Sequence, residues 1–302
     1  MRRRPISRFR PAPRLITALL CGVALLPATA GAADVPLYQV QVPLAGAAEA
    51  DRAAGFALAL QAVAVRVSGR GEAATNATIA AADATRYVQR YSTSADRRLS
   101  VGFDSRAVSG LLQQAGLPFW AAERPLTLVE APGGDRAEGE RAAQWRGLPV
   151  QWTDAAPPRE PAAARASLRG VPNGAGYDWT FSHAGQTVQG RGSLADGINL
   201  AADTLAARYA PPSSRGNSTL ALRIAGVGDL RAYAGLLTYL GRLSIVREAS
   251  VDALEGELLR LKVTMRGDRE LLGRIAAMDG RLQPATTDPG APDAGADFLY
   301  QP

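Results

Sequence analysis

The sequence has little of the chemistry that most enzymes use. Its 302 residues contain one cysteine, Cys21, and one histidine, His183. A single cysteine cannot form a disulfide within the chain, so apolar cores must stabilise the fold. A lone histidine without cysteine partners argues against a zinc or copper site. HExxH, GxSxG, P-loop and EF-hand motifs are also missing. The sequence therefore identifies no catalytic, cofactor-binding, metal-binding or other binding residue.

The first 32 residues have the three parts of a secretory signal peptide. Six arginines come first, an apolar run extends from Leu15 to Leu26, and small residues follow from Ala28 to Ala33. The apolar run has about 12 residues, fewer than the roughly 20 that span a bilayer as a helix. We predict export to the periplasm, cleavage near Ala32 with loss of Cys21, and no transmembrane segment in the mature chain.

Cleavage changes the charge balance of the chain. The full sequence has 34 basic and 28 acidic side chains, and the six arginines of the leader precede the first acidic residue, Asp34. The mature chain therefore has 28 of each. A basic net charge favours binding to nucleic acid, but a neutral mature chain does not. We predict no nucleic-acid partner.

Hydrophobic periodicity predicts an α+β protein made of several small modules. An N-terminal module spans residues 33–131 in the order β-α-α-β-α-β, with its second helix over Thr75–Tyr91 and its last strand at Pro125–Glu130. Residues 132–165, rich in proline, glycine and alanine, are predicted to be a loose connection. A middle α+β unit follows at 166–210, with three strands and a helix from Ser193 to Tyr209. Residues 211–218 form a predicted linker.

The C-terminal module, residues 219–302, contains an internal repeat. Gly228-Asp229 and Gly267-Asp268 each follow a strand pattern and precede an amphipathic helix, and they are 39 residues apart. Two such units in tandem predict a ferredoxin-like arrangement of two βαβ units. The apolar residues Phe298–Tyr300 end the tail, and we predict that they return as an edge strand.

Several segments together resemble a known family. They are Leu37–Val40, Val65–Gly69, Arg86–Tyr91, Ala115–Pro118 with Trp120, Arg124–Thr127 and Asp203–Ala210. These segments are similar to an uncharacterised family of exported Gram-negative proteins, number twenty sixty-six in the series of domains of unknown function. The resemblance implies export and brings no activity, cofactor or site residue with it.

Two glycine-containing segments have a functional and a structural interpretation. Arg66–Glu72 is either a polar recognition loop or a glycine-terminated helix end with a solvated turn, and the second is favoured. Gly190–Ser193 is either an anion site at a helix start or a turn with a serine cap, and the cap is favoured.

Three further features also have a structural interpretation. His183 is interpreted as a hairpin-turn residue rather than a catalytic base. Glu138 and Glu140 could form a carboxylate pair, but they lie in the predicted loose connection. The four tryptophans are scattered, and we interpret them as core or interface anchors.

Export, neutral charge and small α+β modules favour a non-enzymatic binding or assembly protein of the cell envelope. Its expected partners are envelope proteins or cell-wall components. Two alternatives remain at this point: a hydrolase that uses carboxylates alone, and a protein that binds a small ligand.

Overall fold

The computed structural model describes residues 33–34, 36–153, 165–211, 217–255, 258–285 and 295–302. Helices and strands are mixed throughout these ranges, which confirms the predicted α+β class. Contacts join Gly31–Pro302 into one unit that contains all the predicted modules. Within the described ranges, no helix is both long and apolar enough to cross a membrane.

The N-terminal part is an antiparallel sheet covered by a long helix. Its elements are β1 (Ala33–Asp34), β2 (Gln39–Pro43), α1 (Glu49–Ser68), α2 (Ala77–Ala80), β3 (Val88–Thr93), β4 (Arg98–Phe103), α3 (Ser105–Gln114) and β5 (Glu123–Arg124). The sheet has the order β2-β4-β3, and the short strands β1 and β5 pair separately. Helix α1 packs a run of alanine, leucine and valine into this core and ends at Gly69, whose φ of 68° is left-handed.

The prediction of a second helix over Thr75–Tyr91 is wrong. The segment instead contains a 3₁₀ turn, the four-residue helix α2, a second 3₁₀ turn and strand β3. The side chain of Asn76 accepts hydrogen bonds from Thr78 and Ile79, and that of Asp83 accepts one from Thr85. Each cap starts a new short turn, and the β-forming residues of β3 then pair with β4.

The middle part is a five-stranded sheet with two helices. Its elements are β6 (Leu126–Glu130), α4 (Arg136–Arg146), β7 (Val150–Trp152), β8 (Arg165–Asn173), β9 (Gly176–His183), β10 (Gln186–Gly192) and α5 (Leu194–Tyr209). The strand order is β10-β9-β8-β6-β7, with β6 parallel to both of its neighbours. Strands β8 to β10 and helix α5 agree with the elements predicted for residues 166–210.

Two predictions about the preceding segment need correction. Strand β6 belongs to the middle sheet and does not close the N-terminal module, because it pairs with β7 and β8. The predicted loose connection contains α4 and β7, which form a βαβ unit with β6. Helix α4 is polar on one face, and its ends are marked only by the cap Asp135 and by Gly147. Residues 154–164 of the connection lie outside the described residues.

The C-terminal part is a second five-stranded sheet with two helices. Its elements are β11 (Asn217–Ala225), α6 (Leu230–Arg242), β12 (Val246–Glu255), β13 (Leu258–Arg266), α7 (Arg269–Ala276), β14 (Leu282–Pro284) and β15 (Phe298–Tyr300). The strand order is β12-β13-β11-β15-β14. The β-α-β-β-α-β order predicted from the sequence is present, but β15 lies between β11 and β14. The prediction of Phe298–Tyr300 as an edge strand is therefore wrong.

The internal repeat is visible in the strand register. Leu222 pairs with Leu261, and these two residues are equivalent under the 39-residue offset. When each residue is replaced by its equivalent 39 positions away, the strand pairs on one side of Leu222–Leu261 become the pairs on the other side. A pseudo-twofold axis therefore passes between β11 and β13. Asp229 and Asp268 occupy equivalent caps, each accepting a hydrogen bond from the backbone N–H three residues later. This confirms the repeat inferred from the sequence.

Two apolar cores are formed within this unit. One belongs to the N-terminal sheet, α1 and α3. The other is continuous across the middle and C-terminal sheets and includes Trp179, Leu205, Leu236 and Leu261. The C-terminal sheet therefore shares a core with the middle part across the predicted linker at 211–218, whose residues 212–216 lie outside the described ranges.

Candidate anion-binding cleft

A cleft lies between the N-terminal helix α3 and the C-terminal strands β12 and β13. It consists of two cavities of about 280 Å³ and 250 Å³. Five residues line both cavities: Arg106, Ser109, Phe119, Arg247 and Arg266. Because these residues form a shared wall, we describe the two cavities as compartments of one feature, the arginine cleft.

Helix α3 supplies one wall of the arginine cleft. Asp104 caps the helix, with its carboxylate accepting a hydrogen bond from the Ala107 N–H at 2.7 Å. Arg106 is the second residue of the helix and is exposed, and Ser109 follows one turn later. The Ser109 Oγ lies 3.4 Å from the hydroxyl of Tyr38. The cap therefore fixes the start of α3 and with it the position of Arg106.

A β-bulge places Arg247 in the opposite wall. Val246 pairs with Met265 and Glu248 pairs with Thr264, so Arg247 is an extra residue without a partner on β13. A bulge twists the strand locally and redirects a side chain, and bulges are common beside functional sites. In a regular ladder Arg247 would have a residue of β13 opposite it. Arg247, at the bulge, lines both compartments.

Arg266 is the last residue of β13 and contacts Phe119. Its guanidinium carbon is 4.2 Å from the centroid of the Phe119 ring, a cation–π contact. Burial lowers the pKa of Arg266, and the charge of Arg247 lowers it further, whereas Tyr38 raises it. Two positive charges therefore repel each other at the centre of the arginine cleft.

The lining of the arginine cleft has no acidic residue among the described residues. Within the described residues, the side chains of Arg106, Arg247 and Arg266 form no ion pair and no hydrogen bond. Glu123, behind the wall, accepts hydrogen bonds from the N–H and the Oγ of Ser244 at 2.8 and 2.7 Å. These hydrogen bonds from neutral groups leave the negative charge of Glu123 in place. The lining itself has three arginines and, among the described residues, no acidic side chain, which favours binding of anions.

Next to residues 120 and 121 three arginines are buried together, and we call Arg66, Arg124 and Arg146 the arginine core. Arg124 is fully buried and donates hydrogen bonds to backbone oxygens of three segments, those of Ala121, Arg146, Gly147 and Arg66, at 2.6 to 3.1 Å. Its guanidinium also stacks 3.7 Å above the Trp120 ring. Burial lowers the pKa of Arg124, with smaller contributions from Arg66 and Arg146.

The other two members of the arginine core join further segments to it. Arg66 donates to the carbonyl oxygens of Pro36, Gln39 and Gln144. Arg146 donates to the Gly69 carbonyl and to side chains of α5, Asn199 at 2.9 Å and Asp203 at 2.6 Å. The core therefore fixes residues 119–124, which supply Phe119 and Ala122 to the arginine cleft.

The residues singled out from the sequence have mainly structural environments. Arg66 belongs to the arginine core, and the glycine-terminated helix end at Gly69 is present, as the preferred interpretation of Arg66–Glu72 predicts. Ser193 caps α5 in a capping box with Asp196, as the preferred interpretation of Gly190–Ser193 predicts. Glu138 and Glu140 lie on α4 rather than in an irregular segment. Among the tryptophans, Trp120 and Trp179 are fully buried in the core.

His183 is the last residue of β9, directly before the hairpin turn at Ala184-Gly185, and it is buried. Its Nδ1 is 2.9 Å from the Arg165 carbonyl oxygen, and its Nε2 is 2.8 Å from the Tyr209 hydroxyl. A carbonyl only accepts, so Nδ1 carries the proton and Nε2 accepts from Tyr209. Burial lowers the pKa of His183, and the charge of Arg208 adds to this effect.

This environment predicts a pH dependence of stability. Below pH about 6.5 His183 is protonated in the unfolded chain. In the folded chain it stays neutral until the pH reaches its lowered pKa. Stability should therefore fall as the pH is lowered from 7 towards the depressed folded pKa, by about 1.4 kcal/mol for each unit of depression. Urea unfolding between pH 7 and 5 measures the slope. His183→Gln should flatten it, because His183 is the single histidine. An unchanged slope in this variant would contradict the prediction.

Comparison with known proteins gives one family match. Residues 32–121 match the model of a family described as a domain of unknown function, DUF8605. The resemblance to number twenty sixty-six of that series is therefore wrong. The matched range includes Arg106, Ser109 and Phe119 but not Arg247 or Arg266, so it covers one wall of the arginine cleft. No curated protein and no solved structure matches the chain.

Sequence reasoning missed Arg106, Arg247 and Arg266. They are far apart in the chain, and none lies in a motif of its own. Arg266 precedes the repeated Gly267-Asp268 pair, which drew attention to the segment without indicating a site. A bulge such as that at Arg247 has no sequence pattern here that distinguishes it from a regular strand.

Proposed function

We propose that this protein is an exported, non-enzymatic binding module of the cell envelope that binds an anionic envelope component in the arginine cleft. The observation that carries the proposal is the convergence of Arg106, Arg247 and Arg266 on one cleft whose lining has no carboxylate among the described residues. Arginine presents a planar fork of donors that suits carboxylate and phosphate groups. The bulge at Arg247 and the stacking of Arg266 on Phe119 support a built site.

The two alternatives differ in support. A carboxylate hydrolase needs two converging carboxyl groups with displaced pKa values. Among the described carboxyl groups a displaced pKa is resolved at Asp178, where a hydrogen bond from Arg191 lowers it on an exposed hairpin. No observation favours the hydrolase. The small-ligand alternative is compatible with the cleft and differs only in the size of the anion.

The location and the fold family belong to the same proposal. The signal-like leader supports export to the periplasm, with cleavage near Ala32, immediately before β1. Sequencing the amino terminus of protein recovered from the periplasm tests this. The β-α-β-β-α-β order and pseudo-twofold register of the C-terminal part support a ferredoxin-like unit with β15 inserted.

The binding proposal predicts retention on envelopes through the arginines. Protein carrying Arg106→Gln, Arg247→Gln and Arg266→Gln together should lose most of its co-sedimentation with isolated cell envelopes. The wild-type protein should be released as salt is raised from about 50 to 500 mM, because added ions screen the attraction. Circular dichroism checks that the variant is folded. Equal co-sedimentation of the wild type and the triple variant would refute the proposal.

A further inference from the structure

A second surface lies at the free edge of strand β2. The N-terminal sheet has the order β2-β4-β3, so within the described ranges β2 has a strand neighbour on one side only. A groove of about 550 Å³ lies beside this edge, and we call it the β2 groove. Its lining comes from the N-terminal sheet, α1 and the end of α4 with the residues after it, and includes Gln39, Gln41, Ser100, Gln144, Leu148 and Pro149. It shares no lining residue with the arginine cleft.

The hydrogen-bond pattern of β2 leaves main-chain groups unused at this groove. The Phe103 N–H donates to the Tyr38 carbonyl oxygen, and bonded positions alternate along an antiparallel pair. The odd-numbered residues Gln39, Gln41 and Pro43 therefore direct their main-chain groups away from β4. Gln41 lines the groove, and its N–H and C=O have no partner among the described residues.

Arg66 satisfies the neighbouring position on the same edge. Its Nη1 donates to the Gln39 carbonyl oxygen at 2.5 Å, and its Nη2 donates to that of Gln144 at 2.6 Å. The guanidinium thus provides at Gln39 the donor that another strand would provide. At Gln41, two residues further along β2, no side chain does so. The edge is therefore open to a strand from outside at this point.

The β2 groove also carries positive charge. The buried side chain of Arg66 lines it and forms no ion pair within the part of the chain that the structure describes. Arg124 and Arg146 belong to the same arginine core, and two carboxylates, Glu123 near Arg124 and Asp203 bonded to Arg146, offset part of this charge. The described lining itself has no acidic residue. The excess of positive charge favours an acidic ligand over a basic one.

We propose that the β2 groove binds an extended, acidic peptide segment of another protein, which joins the N-terminal sheet as a strand beside β2. The N–H and C=O of Gln41 supply main-chain hydrogen bonds, the source of affinity in complexes that form by strand addition. The charge of the arginine core supplies the preference for an acidic segment. This surface acts in addition to the arginine cleft.

Two blocked pentapeptides test the preference for charge. One is acetyl-Thr-Val-Glu-Val-Thr-amide, whose β-branched residues favour an extended chain, and the other has lysine in place of glutamate. At about 50 mM salt we expect the acidic peptide to bind about threefold or more tightly than the basic one in calorimetry. A tetramer of N-acetylglucosamine is the glycan probe, and we expect it not to bind.

Hydrogen exchange measured by NMR tests the strand addition directly. In the free protein the Gln41 amide should exchange fast, because it has no acceptor, whereas the amides of Val40 and Val42 are protected by β4. Saturation with the acidic peptide should slow exchange at Gln41 about tenfold or more.

Proline variants test the contribution of the main chain. Gln41→Pro removes the free N–H and should weaken binding of the acidic peptide about fivefold or more, whereas Gln41→Thr keeps the N–H and should bind like the wild type. Thr93→Pro is the matched control. The Ser94 N–H donates to the Arg98 carbonyl oxygen, so Thr93 directs its own N–H to the free edge of β3, at the other side of the same sheet. Its affinity should be unchanged, and circular dichroism checks that each variant is folded.

Each alternative occupant gives a different result. Binding of the glycan probe without binding of either peptide would assign the groove to a carbohydrate and overturn the proposal. A dimer in sedimentation that Gln41→Pro abolishes would show that a second copy of this chain occupies the edge instead. Peptide binding that leaves exchange at Gln41 unchanged would place the peptide elsewhere, and equal binding of the two peptides would contradict the acidic preference. Failure of both peptides to bind at about 1 mM would refute the strand addition and leave the arginine cleft untouched.

Discussion

Replacing Arg124 with methionine should lower the free energy of unfolding by about 3 kcal/mol. The change strips charged donors from four backbone carbonyl oxygens that are held at 2.6 to 3.1 Å. Such bonds contribute about 1.5–3 kcal/mol each, but methionine also removes the cost of burying a charge, so the net loss is well below their sum. Removing the charge also relieves repulsion from Arg66 and Arg146, which offsets part of the loss. The lost hydrogen bonds outweigh this relief, because the carbonyls are left buried without equivalent donors.

Two further variants isolate the cause at Arg124. Arg169→Met is the control, since Arg169 is largely exposed and its ion pair with Glu130 spans 3.5 Å, so the loss should stay within about 1 kcal/mol. Arg124→Lys keeps the charge, but one ammonium group cannot reach carbonyls of three segments. We expect it to lose nearly as much as the methionine variant in urea unfolding. A free energy of unfolding equal to that of the wild type in Arg124→Lys would show that the positive charge, and not the set of guanidinium donors, stabilises the fold.

Local signals in the sequence predicted local structure well. Asp229 and Asp268 were found as helix caps because an N-cap needs only an acceptor and the next few N–H groups. The three strands between residues 165 and 192 were found because their hairpin turns, at Gly174 and Gly185, contain glycines with positive φ. In both cases the deciding interactions lie within a few residues of the pattern.

Predictions that depended on distant residues were less successful. The sequence of β6 reads as a strand, but nothing in it shows that its partners are β7 and β8 rather than the N-terminal sheet. The apolar residues of Phe298–Tyr300 indicated a strand, yet its interior place depends on β11 and β14. Strand pairing is set by the whole core, so the element was predictable and its neighbours were not.

The candidate site was hidden for a related reason. Arginine is usually a surface residue, so Arg66 was interpreted only as part of a helix end before a solvated turn, and Arg124 was noted only within a family resemblance. Both are buried because backbone carbonyls from separate segments converge on them. The arginine cleft likewise combines α3 with a bulge in β12. Only tertiary structure brings these charges together.

Gly147 is the position where an added methyl group should do the most damage to the arginine core. Gly147 ends α4 with a φ of 62°, which costs other residues about 1–2 kcal/mol. A Cβ at this position would lie 2.4 Å from the Cγ of Arg66 and 2.7 Å from the Nη1 of Arg124. Neither side chain can move without losing hydrogen bonds to backbone carbonyls. Gly147→Ala should therefore cost about 3–4 kcal/mol, the backbone strain plus the overpacking.

Gly116 provides the matched control for this substitution. It follows α3 with a φ of 68°, but a Cβ there would meet no atom within 4 Å. Gly116→Ala should cost only the backbone strain, about 1–2 kcal/mol, so the difference between the two variants measures the overpacking. In an Arg66→Ala background, which removes the clashing Cγ, the additional cost of Gly147→Ala should shrink towards that of Gly116→Ala. Equal losses for the two glycines in the wild-type background would mean that the arginine core is loosely packed and does not fix residues 119–124.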